Sequence, residues 1–297
     1  METTLRTERL TKLYGAERGI TGLTLEVAKG EIFGLLGPNG AGKTTTTRLA
    51  LDLIRPTSGS VEVLGLDAQE EALEIRKRVG YLPGDFGLYG DMTARRYLSH
   101  LARLRDMPDL EPAESLAGLL DLDLDRRMRQ LSKGNRQKVG VVQAFMHKPD
   151  LLILDEPTSG LDPLVQQTFY GMVRQVRREG RTVFLSSHVM SEVEKVCDRV
   201  AVLKDGRMVG MGPVSALKRR AAREVDVRFK RPVAPNAVAA VPGVFGLKVR
   251  GDRMRFRHRG DTDALVKALA KYPVAELSIM PPSLEELFLS LYGGGKG

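Results

Sequence analysis

A stretch of nine residues, rich in glycine and ending in a lysine and two threonines, limits what this chain can fold into more than any other feature. It reads Gly37-Pro38-Asn39-Gly40-Ala41-Gly42-Lys43-Thr44-Thr45. The apolar residues 32–36 before it are typical of a buried strand, and residues 46–54 after it are typical of a helix. A glycine loop between a strand and a helix is the setting of a P-loop, so the sequence predicts a phosphate-binding loop here.

The residue types of this loop suit a nucleoside triphosphate. Glycines permit positive φ and close approach of the backbone, so N–H groups of the loop and of the next helix can point at phosphate oxygens. Lys43 is placed to reach the β- and γ-phosphates, and the Thr44 hydroxyl is placed to bind Mg²⁺. We predict that all nine residues contact the nucleotide. The loop alone does not tell what the nucleotide is used for.

The composition is that of a globular protein. The chain has 297 residues, of which 42% are hydrophobic and 28% are charged. Its apolar runs are far shorter than the ~20 residues of a membrane span, and its first residues lack the pattern of a signal peptide. The single cysteine, Cys197, lies in an apolar-periodic stretch and is predicted to be a core residue. These features predict a cytoplasmic protein.

Positive charge is concentrated in the C-terminal part of the chain. The formal net charge is +9, and residues 213–260 contain thirteen lysines and arginines against three acidic residues. The imbalance favours a separate C-terminal unit. A strand with one apolar face and one arginine face is predicted there, because Met254 and Phe256 alternate with Arg253, Arg255, Arg257 and Arg259.

The order of the element patterns predicts an α/β fold with a P-loop NTPase core of the RecA-like type. Strand patterns before and after the P-loop lack crossover helices, which indicates an antiparallel β side sheet. Three helical patterns then follow, and we predict a helical insert over about residues 85–148. The predicted domains are a nucleotide-binding domain over 1–220, a small basic α+β domain over 221–292 and a flexible tail over 293–297.

Two carboxylates close an apolar strand pattern that begins at Leu151. They are Asp155 and Glu156. A carboxylate at such a strand end can hold Mg²⁺ through water, and its neighbour can deprotonate an attacking water. By itself the pair Asp155-Glu156 could also contain a purely structural aspartate. Because a P-loop lies upstream, we favour the interpretation that the two residues serve Mg²⁺ binding and catalysis.

Three further positions are ambiguous by themselves. Ser132 and Gly134 stand at a predicted helix start, where a hydroxyl and free N–H groups bind either an anion or only the helix's own backbone. His188 follows a strand pattern, and its imidazole either reaches a γ-phosphate or is simply exposed. Tyr14 precedes the P-loop strand and either stacks on a base or belongs to the core.

Taken in order along the chain, these motifs resemble those of the ATP-binding cassette (ABC) ATPases, over about residues 5–212. The shared motifs are the P-loop, the signature stretch Leu131–Asn135, the Walker B strand Leu151–Asp155 with Glu156, the D-loop Ser159-Gly160-Leu161-Asp162, the switch histidine His188 and the adenine-stacking Tyr14. The resemblance implies a head-to-tail dimer, in which each ATP lies between one subunit's P-loop and the other subunit's signature loop.

The resemblance also implies a role for each site residue. Ser132 and Gly134 would bind the γ-phosphate of the partner's ATP. Glu156 would be the catalytic base, and His188 would hold the γ-phosphate and the water. Asp155 would support Mg²⁺ through water.

Two stretches depart from the pattern of the family. In the signature, Lys133 replaces a glycine and Asn135 replaces a glutamine, while the two phosphate-facing residues remain. The glutamine of the Q-loop, which in the family contacts Mg²⁺ and couples the site to the membrane partner, is replaced by Gly84, followed by Asp85. We therefore predict a coupling loop at these two positions and hypothesise that Thr44, ATP and waters hold most of the Mg²⁺ coordination.

The resemblance implies the energising subunit of a membrane exporter whose permease is a separate chain. An aromatic loop over residues 86–92 lies where membrane subunits of the family insert coupling helices, and residues 282–288 resemble the appended domain of drug, antibiotic-resistance and polysaccharide exporters. The implied partners are a second copy or a paired ABC subunit, and a polytopic permease. The implied location of this protein is peripheral, on the cytoplasmic face of the cell membrane. The arginine strand would be a solvated face or would contact the permease or lipid headgroups, and nucleic acid is not expected as a partner.

The alternative is a soluble mechanical ATPase that acts on ribosomes or DNA. The ribosomal branch of the family carries two cassettes in one chain, whereas this chain has one P-loop. The branch that maintains DNA has a long coiled coil between P-loop and signature, and no sustained heptads occur there in this sequence. The sequence therefore favours the exporter.

Overall fold

The computed structural model describes residues 2–15, 17–85, 90–220 and 222–280. The chain divides into two compact units, Met1–Gly212 and Pro213–Gly297. The domain boundary at residues 220/221 and the tail from residue 293 stay predictions. The predicted C-terminal helix, residues 283–292, lies outside the described residues, as does most of the aromatic loop.

Ten strands and seven α-helices are described in the first unit. The strands are β1 (Thr3–Tyr14), β2 (Glu17–Ala28), β3 (Ile32–Leu36), β4 (Ser58–Val63), β5 (Leu66–Asp67), β6 (Val79–Leu82), β7 (Leu151–Asp155), β8 (Thr182–Ser187), β9 (Arg199–Lys204) and β10 (Arg207–Pro213). The helices are α1 (Lys43–Ala50), α2 (Ala72–Arg78), α3 (Ala94–Leu104), α4 (Glu111–Leu119), α5 (Lys133–Phe145), α6 (Pro163–Arg178) and α7 (Met190–Val196).

The strands of the first unit form two sheets. The main sheet has the order β10-β9-β3-β8-β7-β6, and its neighbours from β9 to β6 pair in parallel. The side sheet has the order β2-β1-β4-β5 and is antiparallel throughout. This arrangement confirms the predicted α/β fold with an antiparallel side sheet.

One hydrophobic core lies between the two sheets. Leu5 and Leu25 of the side sheet share this core with Phe33 and Phe184 of the main sheet. The two phenylalanine rings stack with centroids 5.9 Å apart. Because β3 is buried along its whole length, the loop that follows it starts from a rigid position. Cys197 is buried, as predicted.

The helical insert is tied to the main sheet at its edge strand. Arg105, just after α3, donates to the backbone carbonyls of Arg76, Lys77 and Val79 where α2 gives way to β6. The carbonyl oxygen of Ala144 in α5 would lie 2.0 Å from a Cβ added at Gly80 of β6. Helix α5, which begins at the signature stretch, is thus packed directly against the strand that leads to the coupling loop.

The second unit is a small α+β domain. It contains α8 (Val214–Arg220), β11 (Arg223–Phe229), α9 (Pro235–Ala239), β12 (Val244–Arg250), β13 (Arg253–His258), α10 (Thr262–Leu269) and β14 (Val274–Met280). From β11 onward the order is βαββαβ, and the antiparallel sheet has the strand order β12-β13-β11-β14. This is the split βαβ arrangement of ferredoxin-like folds.

The arginine strand has the two faces that its sequence predicts. Met254 and Phe256 are buried in the core of the second unit, whereas the arginines of β13 are exposed. Arg253 and Arg255 both pair with Asp226 of β11, at 2.7 and 2.6 Å. Part of the positive charge of this face is therefore neutralised within the unit, which weakens its attraction for an anionic surface.

The described helices include none that combines the length and the hydropathy needed to cross a bilayer.

Candidate functional site

The P-loop connects the end of β3 to the start of α1 through two glycines in the left-handed region. Gly40 has φ 81° and Gly42 has φ 103°. A Cβ added at Gly42 would lie 2.4 Å from Ile20 Cγ2 and 2.7 Å from the carbonyl oxygen of Gly19, so neither space nor backbone conformation admits a side chain there. Gly42 is the N-cap of α1, which begins at Lys43 rather than at the predicted Thr46.

Lys43 is held inside the loop. Its side chain is 5% exposed. The ammonium donates to the carbonyl oxygens of Gly37 at 2.8 Å and Pro38 at 3.1 Å. It also pairs with Glu156, with Nζ 3.1 Å from Oε1. A buried cation at the mouth of a helix N-terminus makes this loop a strong site for phosphate.

A cavity of about 420 Å³ lies over the P-loop. Its lining consists of Tyr14, Gly19, Asn39, Gly40, Gly42, Lys43, Thr44, Thr45 and Glu156. Tyr14 is 46% exposed, and its Cε2 atom would lie 2.8 Å from a Cβ at Gly19. The lining of the cavity therefore combines an aromatic residue with the phosphate-binding loop.

The end of β7 places a buried carboxylate beside the P-loop. Asp155 is fully buried. Thr44 Oγ1 donates to Asp155 Oδ2 at 2.7 Å, and the Ser186 hydroxyl of β8 donates to Oδ1. A threonine hydroxyl and a carboxylate on adjacent elements are oxygen ligands of the kind that Mg²⁺ prefers.

Glu156 has a backbone conformation that few non-glycine residues adopt. Its φ is 49°, and its N–H donates to the carbonyl of Ser186 at 3.1 Å. Strain of this kind persists only where surrounding contacts hold it, and it is concentrated at functional sites. Gln137 of α5 supplies two of these contacts, because its amide donates to the carbonyls of Glu156 and Pro157 at 3.3 and 3.0 Å.

The carboxylate of Glu156 lies between two basic groups. Oε1 faces Lys43, and Oε2 is 2.7 Å from Nδ1 of His188. His188 follows β8 immediately and is about half exposed. The structure thus brings together the P-loop, Tyr14, Asp155, Glu156 and His188.

Gly84 lies against Asp155. A Cβ at Gly84 would be 3.0 Å from Asp155 Oδ2, so any side chain at this position would start beside the carboxylate that Thr44 also contacts. Asp85, the other residue of the predicted coupling loop, is exposed.

The signature stretch and the D-loop form a second group of predicted site residues. Ser132 is the N-cap of α5 and accepts from Asn135 N–H at 3.2 Å. A Cβ at Gly134 would lie 2.5 Å from the carbonyl oxygen of Gly160, so the two loops touch where both residues are glycine. Neither Ser132 nor Gly134 lines the cavity over the P-loop.

Asp162 caps the helix that follows the D-loop. Its carboxylate accepts from the N–H groups of Val165 and Leu164, each at 3.0 Å. These bonds, the one from Val165 most of all, lower the pKa of the Asp162 carboxyl. The residue is therefore ionised and fixed at the start of α6.

Three polar residues that hold the site in place were not predicted from the sequence. They are Gln137, Ser186 and Glu192, and all three are buried. Gln137 carried a weak signal, because it lies on the helix that the signature begins. Ser186 and Glu192 carried none, since a serine in a strand and a glutamate in a short helix are ordinary residues there.

A parallel sheet whose carboxyl ends carry a P-loop, a buried aspartate and an adjacent glutamate defines a P-loop ATPase. The sequence model of the family described as "ABC transporter" matches residues 20–159. The chain is 32% identical to the bacitracin transport ATP-binding protein BcrA of Bacillus licheniformis, over 99% of both chains. It is 33% identical to the Nod factor export ATP-binding protein I of Rhizobium meliloti strain 1021, over 96% of this chain and 86% of that protein.

Solved structures agree with these relatives. An ATP-binding subunit of an ABC transporter is 30% identical, with a TM-score of 0.67 over 73% of this chain and 93% of that one. The ADP- and phosphate-bound dimer of the cassette MJ0796 shares the fold, with a TM-score of 0.67 and 21% identity over 71% of this chain and 99% of that one. The chain belongs to the ABC transporter family, as an ATP-binding subunit with ATPase activity.

Proposed function

We propose that this protein energises a membrane exporter whose permease is a separate chain. The observation that carries the proposal is the extent of the likeness, which runs through both units to proteins named for bacitracin transport and Nod factor export. A third relative, the linearmycin resistance ATP-binding protein LnrL of Bacillus subtilis, is 32% identical over 97% of this chain and 98% of that protein. We place the site of action at the cytoplasmic face of the cell membrane.

In this proposal the P-loop holds the triphosphate of ATP. Backbone N–H groups from among residues 39–45 surround the phosphates, and Lys43 neutralises the β- and γ-phosphate charge. Tyr14 stacks on the adenine, because its exposed ring lies at the edge of the cavity. The cavity of about 420 Å³ is within the range of small-molecule sites.

The residues at the end of β7 fit a magnesium ion. Thr44 would bind it directly and Asp155 through water, since the two side chains already lie within 2.7 Å of each other. The ion would neutralise charge that develops on the transferred phosphate. Asp155 itself is held by Ser186 and Thr44, so its carboxylate needs little reorganisation to take this role.

Glu156 is the catalytic base of the proposal. Its carboxylate is fixed by His188 at one oxygen and faces Lys43 with the other. Binding of the γ-phosphate draws the Lys43 ammonium to the phosphate, which frees Oε1 to take a proton from the attacking water. His188 then holds the γ-phosphate and the water in line.

The signature residues complete the site of a second copy. Ser132 and Gly134 do not line the cavity over the P-loop of their own chain. In the proposal they contact the γ-phosphate of the ATP that is bound to the P-loop of a partner subunit. The exposed hydroxyl of Ser132 and the N-terminus of the 13-residue helix α5 suit an anion. We propose a head-to-tail dimer, with Asp162 of the D-loop at the subunit boundary.

The coupling loop would transmit the state of the site to the permease. Gly84 touches Asp155, and Asp85 follows it at the surface. The alternative of a ribosomal or DNA-bound ATPase has no support among the three relatives, because their names refer to transport, export and resistance.

The proposal is tested by purifying the Glu156→Gln protein with ATP from gently solubilised native membranes. We expect a polytopic membrane protein to accompany it in equal amount, since blocked hydrolysis keeps the complex assembled. The Lys43→Met protein, which we expect to bind ATP at least about 10²-fold more weakly, serves as the control and should bring down less of the permease. Ribosomal proteins or DNA in place of a membrane protein would contradict the exporter proposal.

Replacing Gly84 with glutamine is expected to change the rate of ATP hydrolysis by no more than a few-fold. The reason is that Thr44, ATP and waters are proposed to hold the Mg²⁺, so the added amide is not needed. The new Cβ would lie 3.0 Å from Asp155 Oδ2, a distance that a small shift of the loop relieves. Steady-state turnover at saturating Mg²⁺ measures the effect.

Gly84→Ala is the matched control for this prediction, because it adds the Cβ without the amide. Gly84→Glu should be more harmful than either, since it places a second anion beside Asp155. A large gain or loss for Gly84→Gln, with Gly84→Ala unchanged, would show that the residue at this position sets the mechanism.

A further inference from the structure

A buried carboxylate that belongs to none of the motifs is bonded to the segments that carry the proposed catalytic pair. Glu192 of α7 is 8% exposed. Its two oxygens accept from two hydroxyls, Oε1 from Thr158 and Oε2 from Ser187, the latter at 2.8 Å. A carboxylate is costly to bury unless it is hydrogen-bonded, so these two bonds account for its presence in the interior.

The two hydroxyls belong to the two segments that carry the catalytic pair. Thr158 follows Glu156 after one intervening proline, and Ser187 immediately precedes His188. Glu156 Oε2 and His188 Nδ1, which belong to the same two segments, are 2.7 Å apart. The segments are thus joined twice, once by this pair and once by Glu192.

Ser187 also connects this arrangement to the P-loop. Its carbonyl oxygen accepts from the N–H of Gly37 at 3.2 Å, and its hydroxyl oxygen accepts from the N–H of Val189 at 2.9 Å. The bond from Ser187 to Glu192 therefore fixes a residue whose backbone meets the first residue of the phosphate-binding loop.

We propose that Glu192 is a positioning residue for ATP hydrolysis. By holding Thr158 and Ser187 it sets the separation and the orientation of Glu156 and His188. Glu192 does not line the cavity over the P-loop, so it acts through its neighbours and not on ATP. The positive φ of Glu156 makes that residue dependent on the contacts around it. The proposal rests on the catalytic roles proposed for Glu156 and His188.

The first experiment removes the carboxylate. In Glu192→Ala we expect kcat for ATP hydrolysis to fall on the order of 10- to 100-fold, because a displacement of about 1 Å of a reacting group has an effect of that size. The KM for ATP and the affinity for a fluorescent ATP analogue should stay within about twofold, since the P-loop contacts are unchanged. A positioning defect therefore lowers the kcat per nucleotide site and leaves KM and nucleotide affinity unchanged, whereas a general loss of folded protein lowers the number of nucleotide sites.

Two further variants test the specific bonds. Thr158→Val keeps the shape of the side chain and loses the hydroxyl, and it should lower kcat in the same direction. The double variant Glu192→Ala/Thr158→Val should be no slower than the slower single variant, because both changes break the same bond. Glu192→Gln should recover most of the rate, since its amide can accept from one hydroxyl and donate to the other oxygen.

The matched control is Glu194→Ala, on the same helix. This variant removes a glutamate side chain two residues after Glu192. Residues two positions apart lie on different faces of a helix, so Glu194→Ala should keep the kcat of the unmodified protein. The concentration of nucleotide sites and the thermal unfolding midpoint are measured for every variant. A loss of activity in Glu192→Ala that disappears when kcat is expressed per nucleotide site would overturn the proposal.

Glu156→Gln is run in parallel, so that the catalytic role of Glu156 and the positioning role of Glu192 can fail separately. If Glu156→Gln still hydrolyses ATP, the catalytic assignment is wrong whatever Glu192 does. If Glu156→Gln is inactive while Glu192→Ala keeps its kcat, or if the losses in the double variant add, the positioning role alone is refuted.

Discussion

Replacing Glu156 with glutamine is expected to lower kcat for ATP hydrolysis by about 10²–10⁴, the usual contribution of a general base. The amide keeps the size of the side chain and can still bond to His188, but it cannot take a proton from water. Affinity for ATP should change little, because the contacts of the P-loop remain. Phosphate release under single-turnover conditions measures the first effect, and binding of a labelled nucleotide measures the second.

The same variant should accumulate as an ATP-bound dimer, since binding survives while hydrolysis does not. Size-exclusion chromatography with and without ATP is the measurement. Glu70→Gln, which makes the same change at an exposed residue outside the proposed site, is the control and should remain monomeric after turnover. A Glu156→Gln protein that stays monomeric with ATP would argue against the sandwich dimer, even if its hydrolysis is lost.

Replacing Lys43 with methionine is expected to weaken ATP binding by about 10²- to 5 × 10³-fold, because removing one partner of a buried charged contact commonly costs about 3–5 kcal/mol. The lysine is 5% exposed and is the basic group at the centre of the loop. Methionine fills similar volume without the charge. Equilibrium titration with a labelled nucleotide tests this, with the exposed Lys29→Met as the control.

A double variant separates the two effects of that substitution. Lys43→Met also leaves the Glu156 carboxylate without its cation at Oε1. Lys43→Met/Glu156→Gln should therefore recover thermal stability relative to Lys43→Met, because the unpaired charge is gone, while ATP binding stays weak. Recovery of ATP affinity in the double variant would show that repulsion by Glu156, and not the loss of the ammonium, explains the first result.

The parts of the site that depend on local chemistry could be predicted from the sequence. The spacing of Gly37, Gly40 and Gly42 before Lys43 specifies a phosphate-binding turn wherever it occurs, because positive φ and a free helix N-terminus are local properties. Ser132 was recognised at a helix start for the same reason, and the structure shows it as the N-cap of α5. Apolar runs likewise predicted β3 and β7, alternation predicted the two faces of β13, and strand patterns without crossover helices predicted the side sheet.

Which of these residues contact one another depends on long-range packing and is visible only in the folded chain. That Glu156 lies between Lys43 and His188, that Gly84 touches Asp155, and that Glu192 ties two loops together all follow from the order β3-β8-β7-β6 in the sheet. Strand order depends on how long-range packing buries the two faces of the sheet. The spacing of motifs along the sequence therefore does not predict it. The ferredoxin-like order of the second unit could not be predicted for the same reason. The sequence pattern showed the two faces of β13, but it did not show which strands β13 pairs with.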